Sequence, residues 1–421
     1  MPREIKPTQI AEFIPQGSQV FIQGGIGEPR TILEALAVSD QPHKCVDYYG
    51  VSIPGINNFS PHTFHSGARF HTFFLHRNIA PATDSTLFFH PLHYRDIYRF
   101  LQQRGAFEAA IIQVAPPNSR GLCSLGPSVD FVPAIMGHSR CIIAEINRQM
   151  PVVHNAPSIA LKDIDVVINT DHPLPTSQTQ IGGETETAIA QNVAALIEDG
   201  SCIQIGIGKL PGSIVHQLKN HHSLGLHSGL ISEEVRELIE LGVITGEKKT
   251  IDRFQHVTGL ALGSDDFYHW VADQPQVMFR PVDYTHDQKT LAAINQFVAI
   301  NSVLEIDLQG QCNAERVRGR AVSASGGLVD FVRGARGSHG GKSILAMPAT
   351  AMGGAQSRIV THLGNNAITT LCRTDIDHVV TEHGSASLFA LDTEQRAHAL
   401  VDIAAPEQRN QLWESWEKSR P

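Results

Sequence analysis

Cys202 to Leu218, CIQIGIGKLPGSIVHQL, is the stretch that decides the fold. Its first four residues form an apolar run, Gly206-Ile207-Gly208 interrupts it, and Ile214, Val215 and Leu218 then recur at helical spacing. The pattern predicts a strand, a glycine loop and a helix. Glycines there let a ligand phosphate or another backbone come close to the strand end, and the following helix offers free N–H groups to an anion. Two glycines before a helix also make an ordinary tight turn, so the loop alone specifies no ligand.

The chain carries this pattern twice. Val20 to Pro29, VFIQGGIGEP, runs into Ile32 to Leu36 as Ile203 to Pro211 runs into Ile214 to Leu218, with Gln23 answering Gln204. Ser124 to Phe131 (SLGPSVDF) echoes Ala324 to Phe331 (ASGGLVDF), and Arg140 to Ala144 echoes Lys342 to Ala346. Three echoes in one order, at slowly growing separation, predict two tandem copies of one fold, here 1–180 and 181–421. Strands are expected at Gln19–Gln23, Cys45–Val51, Ala109–Val114, Ile142–Ile146 and Asp165–Asn169. Helices are expected at Thr31–Ala37, Leu92–Gln103, Val129–Met136, Glu184–Ile197 and Pro406–Lys418. Residues 52–90 read as irregular with one strand near Phe70 to Leu75, and Pro173 to Gly183 reads as a linker. Strand and helix alternating through both halves indicate α/β domains with mostly parallel sheets, whose ligands bind beyond the carboxyl ends of the strands.

Composition narrows the function. Of 421 residues 42% are hydrophobic, yet no apolar run reaches the roughly 18 residues of a membrane span. The amino terminus, MPREIKPTQIAEF, has no apolar signal core. Six dispersed cysteines without a C-x-x-C pair suggest reduced thiols in a cytoplasmic protein. A formal charge of −9 argues against a nucleic-acid partner but allows an anionic small ligand. Among 22 histidines, His62, His65, His71, His76, His90 and His93 cluster in sequence, but their spacing matches no compact ligand motif, so no metal is expected.

GIGKLPGSI, LHSGLISEEVRELIELGVI, AINSVLEIDLQGQCNAE, SGGLVDFVRGA and VVTEHGSASL together resemble the acetyl-CoA hydrolase/transferase family, which includes 4-hydroxybutyrate, butyryl and succinyl CoA-transferases. The resemblance covers nearly the whole chain. It implies two similar open α/β domains with the active site between them, coenzyme A and acyl-CoA as substrate beside a small carboxylate, and a homodimer. In that family a glutamate carboxylate attacks the acyl-CoA and carries CoA as a glutamyl thioester, which is covalent catalysis. The matching position here, in His227-Ser228-Gly229-Leu230, is Gly229, which has no side chain. Where an asparagine usually helps to hold the oxyanion, this chain has His286, and Met352 stands where a CoA-contacting lysine is common. The resemblance keeps the oxyanion pair Gly326-Gly327 and Glu382, the residue placed beside the reacting carboxylate.

Each of these residues also has a plainer reading. Glu382 can be a strand-end carboxylate, His286 a loop residue, and Glu233 and Glu234 charges favoured by a helix amino terminus. Glu305, alternating with Val303 and Asp307, is not a position the family uses. Three functions stay open: hydrolysis of a short acyl-CoA with water activated by Glu382 or His286, CoA transfer through a relocated carboxylate (Glu382 or Glu233), and non-catalytic binding of CoA esters. Under all three, CoA is expected near Gly206, Gly208, Lys209, Gly326 and Gly327, with Gly229, His286, Gly327 and Glu382 at the reacting end.

Overall fold

The computed structural model describes residues 1–39, 45–57, 59–76, 79, 85–178 and 182–419. It divides into two compact units, the first formed by Met1–Gln178 with Val257–Thr285, the second by Thr179–His256 with His286–Pro421. The units are therefore not contiguous, as the expected division at 180/181 is. Part of the expected linker, residues 179–181, lies outside the described residues.

Among the described residues the main sheet of the first unit has eight strands: β1 Arg3–Glu4, β2 Gln19–Ile22, β3 Asp47–Gly50, β4 Arg69–Thr72, β5 Leu87–Phe89, β6 Ala109–Val114, β7 Ile142–Asn147 and β8 Val166–Thr170. They form one sheet in the order β1-β8-β7-β6-β2-β3-β4-β5. Every pair is parallel. A parallel sheet is covered on both faces, which explains why all six residues of β6 and of β7 are buried. The apolar core gathers around Ile32, Leu33, Leu36, Tyr48, Ile111 and Ile143.

The second unit repeats the plan with β9 Cys202–Ile205, β10 Gly225–Leu226, β11 Phe297–Ser302, β12 Lys342–Ala346, β13 His378–Thr381 and β14 Gly384–Ser387. The order is β10-β9-β11-β12-β13-β14. Only the β13–β14 pair is antiparallel. Set side by side, β3-β2-β6-β7-β8 of one unit and β10-β9-β11-β12-β13 of the other are the same arrangement, which is the duplication read from the echoes. The correspondence reaches side chains. Gln23 on the strand end accepts from the Gln113 N–H of β6 at 2.8 Å, and Gln204 accepts from Asn301 Nδ2 of β11 at 3.0 Å. A buried amide needs such a partner, and both units supply it from the neighbouring central strand.

Val257–Thr285 belongs with the first unit because it completes hydrogen bonds there. Gly259 O accepts from Val129 N–H, Ala261 N–H donates to Pro127 O, and Val282 N–H donates to Asp130 O. The loop 127–130 would otherwise bury unpaired backbone groups. The clustered histidines are taken up in the same unit by ordinary contacts: His71 bonds Asp47 and His90, His76 bonds Ser52, and His65 bonds Tyr48. Among the described residues no group of three His, Cys, Asp or Glu converges as metal ligands, and no helix is long and apolar enough to cross a membrane.

Candidate active site

Three loops at the carboxyl ends of the second sheet carry most of the expected site. The first follows β9. Gly206 leaves open space where a Cβ would stand, Gly208 has φ +112° and is likewise open, and Ile207 is 42% exposed. Lys209 is the first residue of α1, Lys209–Gln217. The left-handed backbone at Gly208 turns the chain from strand into helix, a conformation L residues seldom adopt.

The second loop follows β10 and is held tightly. His227 N–H donates to Ile203 O at 3.1 Å, Ser228 Oγ donates to Ile205 O at 3.1 Å, and the buried Lys249 ammonium donates to Leu226 O at 3.1 Å. Gly229 is thereby fixed at its place. A Cβ on Gly229 would stand 2.7 Å from Cε1 and 2.9 Å from Nε2 of His286.

The third loop, Ser325-Gly326-Gly327, leads into α2, Leu328–Gly337, with Gly326 at φ +52°. A Cβ on Gly327 would stand 2.4 Å from His286 Nε2 and 3.0 Å from Phe331 Cε2. The His286 ring therefore lies against both glycines at once, and neither site admits a side chain while it is there. Phe331 closes the remaining side, with ring centroids 4.4 Å apart. Being four residues beyond Gly327 on one helix, Phe331 faces the same way, a spacing visible in the sequence. His286 is 2% exposed, and burial pulls its pKa down to about 3, so the ring is neutral at physiological pH. Among the described residues the N–H groups of Gly326 and Gly327 meet no acceptor, so both are available as donors.

Glu382 follows β13. Its Oε2 accepts from Ala349 N–H at 2.8 Å, tying it to the loop after β12, and Oε1 lies 3.9 Å from His383 Nε2. The side chain keeps 17% of its surface exposed. Nearby Arg358 has its pKa lowered by burial, against which the Glu382 charge acts. Glu233 and Glu234 stand in the first turn of a helix, Glu233–Glu240, and Glu305 accepts from Asn313 Nδ2 at 2.7 Å. Met352 is 63% exposed, with Arg318 against its sulfur.

Two profiles of known families match the chain: the acetyl-CoA hydrolase/transferase N-terminal domain over residues 3–176 and the C-terminal domain over residues 263–416. The chain belongs to the acetyl-CoA hydrolase/transferase family. The 4-hydroxybutyrate coenzyme A transferase of Clostridium kluyveri is 39% identical over 319 residues, covering 76% of this chain and 74% of that protein. The succinyl-CoA:acetate/propanoyl-CoA:succinate CoA transferase of Fasciola hepatica is 32% identical, covering 95% of this chain and 84% of that protein. Among solved structures, RipA from Yersinia pestis superposes with a TM-score of 0.92 at 30% identity, covering 99% of this chain and 97% of that one. Family membership agrees with the repeated α/β sheets.

Proposed function

We propose that this member of the hydrolase/transferase family binds the CoA thioester of a short carboxylic acid at the loops just described and cleaves it with water, without a glutamyl-CoA intermediate. The observation that carries the reading is the neutral His286 ring in the space beside Gly229, where a carboxylate nucleophile cannot be accommodated. In this reading Gly206, Gly208, Lys209 and Gly326 hold CoA. The thioester oxygen accepts from the free N–H groups of Gly326 and Gly327, which stabilise negative charge as it forms. Glu382 takes a proton from water as the water oxygen attacks the thioester carbon. The C–S bond then breaks, the proton passes to the departing thiolate, and free CoA and a carboxylic acid leave. His286 is the weaker candidate base, because a ring held near pKa 3 binds a proton poorly at neutral pH. Its part is to fill the slot and exclude water from the Gly229 side.

A second reading, a binder of CoA esters without turnover, draws on the same ring, since 2% exposure makes it a plug as much as a wall. One experiment separates the two. Acetyl-CoA and butyryl-CoA are incubated with the protein, with and without acetate, while free CoA and the intact protein mass are followed. Free CoA without acetate is the expected result. Exchange that requires acetate would instead support a relocated carboxylate, Glu382 or Glu233, and binding without release would leave the binder.

A further inference from the structure

The loops at the carboxyl ends of the second sheet form the site described above, and a second concavity lies at the amino ends of the same strands. Because β9, β10, β11 and β12 run parallel, the loops that lead into them open together at that opposite end. With Lys248 and Thr250 from a fifth loop they line a cavity of about 610 Å³, within the range of small-molecule sites. The six residues of β11 set it roughly 15–20 Å from the glycine loops.

These loops brace one another. Gly200 N–H donates to His222 O at 3.0 Å, Gln296 N–H to His339 O at 2.8 Å, and Asn295 N–H to Thr250 Oγ1 at 3.1 Å. Each of the four strand entries turns at a left-handed residue, Gly200, Ser223, Gln296 and Gly340, with φ +82°, +58°, +51° and +70°. Ser223 and Gln296 hold a conformation that residues with a side chain adopt only where the surroundings impose it, and Ser223 Oγ is fixed by donating to Glu247 Oε1 at 2.5 Å. The side chains of Lys248 and Gln296 meet over Gly200: a Cβ there would stand 3.4 Å from Lys248 Cγ and 3.8 Å from Gln296 Oε1.

The lining has a definite chemistry. Among the described residues that face the cavity none carries an apolar side chain, so it suits neither an acyl chain nor another apolar body. Asp199 accepts from His222 N–H at 2.8 Å and lies 3.4 Å from the ring. Lys248, Asn295 and His339 are exposed, and among the described residues their side chains meet no hydrogen-bonding partner. An ammonium with no carboxylate paired to it takes an anionic group. Amides and a carboxylate take hydroxyls, which donate and accept.

We propose that this cavity binds a small sugar phosphate, with the phosphate at Lys248 and the hydroxyls at Asp199, Asn295 and Gln296. The site does not depend on the hydrolase reading. The test is calorimetric titration of the full chain with glucose 6-phosphate, ribose 5-phosphate, ribose and inorganic phosphate, repeated for Lys248→Gln and Asn295→Ala, both at exposed positions. Saturable binding of a sugar phosphate with a Kd of about 1 mM or tighter is the expected result, ribose and inorganic phosphate each being weaker by about tenfold or more. Lys248→Gln weakens the sugar phosphate about tenfold and Asn295→Ala about threefold. No saturation by either ester overturns the proposal. Affinity unchanged in both variants overturns it by placing the ligand elsewhere, and inorganic phosphate binding as tightly as the esters overturns it by leaving an ion site only. Displacement of the sugar phosphate by CoA would put it at the other end of the sheet, which removes this site and leaves the functional reading standing.

Discussion

The two units carry the same strand, glycine loop and helix and use it differently. After β2, a Cβ on Gly24 would stand 1.8 Å from the Val51 carbonyl oxygen, and one on Gly27 would stand 2.1 Å from Gln23 Nε2. The cavity beside them, lined by Gln23, Gly24, Gly25, Ser128 and Asp130, measures about 20 Å³, room for about one water. After β9, by contrast, Gly206 and Gly208 face open space. In the first unit the glycines serve the protein's own packing, and in the second they leave a place unfilled. Gly229 and Gly327 are a third case, filled by a side chain, His286, that a substitution can remove.

This contrast can be broken at each kind of glycine. Gly24→Ala puts a methyl against a fixed carbonyl and is expected to cost about 3 kcal/mol or more, read by thermal or urea unfolding. A near-neutral result would remove the packing role of the first loop. Gly229→Glu alone meets the His286 ring and is expected to lose about 2 kcal/mol while forming no enzyme thioester. Gly229→Glu with His286→Asn should recover most of that stability and, with acetyl-CoA and acetate, form a thioester that hydroxylamine or borohydride traps and mass spectrometry detects. A single variant as stable as the wild type would mean that the ring does not fill the slot.

The ring itself has a pH signature. Burial lowers the His286 pKa in the folded chain from 6.5 to about 3, so below pH 6.5 the unfolded chain binds the extra proton first. The stability this contributes is fully present above pH 6.5 and falls as pH drops toward 3, by up to about 1.4 kcal/mol per pH unit. His286→Asn should flatten the stability profile between pH 4 and 6 by about one proton, and an unchanged slope would contradict a buried neutral ring. The smallest effect belongs to the open loop. Gly206→Ala should change stability by no more than about 0.5 kcal/mol yet weaken CoA binding by calorimetry. Loss of stability as large as for Gly24→Ala would abolish the difference between the loops.

Much of this was legible because duplication makes a sequence its own comparison. Gln23 and Gln204 mark equivalent strand ends in the sequence itself, and β6, expected at Ala109–Val114, lies at those bounds because a wholly buried parallel strand reads as an unbroken apolar run. Short edges were harder. Leu87–Phe89 is three partly exposed residues within a stretch that reads as irregular, and its pairing with β4 supplies the order that its own composition lacks. The helix expected at Val129–Met136 is confined to Val132–Met136, because Val129 and Asp130 bond to Gly259 instead. The glycine at 229 was plain in the sequence, but the ring that fills its slot was not. His286 reaches Gly229 and Gly327 from separate loops, and no local period encodes such a meeting. Phe331 was hidden by its ordinariness as one apolar residue on an apolar helix face.

The return of Val257–Thr285 to the first unit bears on how the protein is made. Synthesis proceeds from the amino terminus, and a domain folds as a unit once its residues have emerged. Here residues 179–256 leave the ribosome before the segment that completes the first unit. Until residue 285 emerges, the loop at 127–130 lacks the backbone partners it has in the finished molecule. A gene truncated at the end of β8 would leave that loop in the same state permanently, so separate expression of the amino-terminal half should give an aggregation-prone fragment, which supplying residues 257–285 on the same chain would rescue.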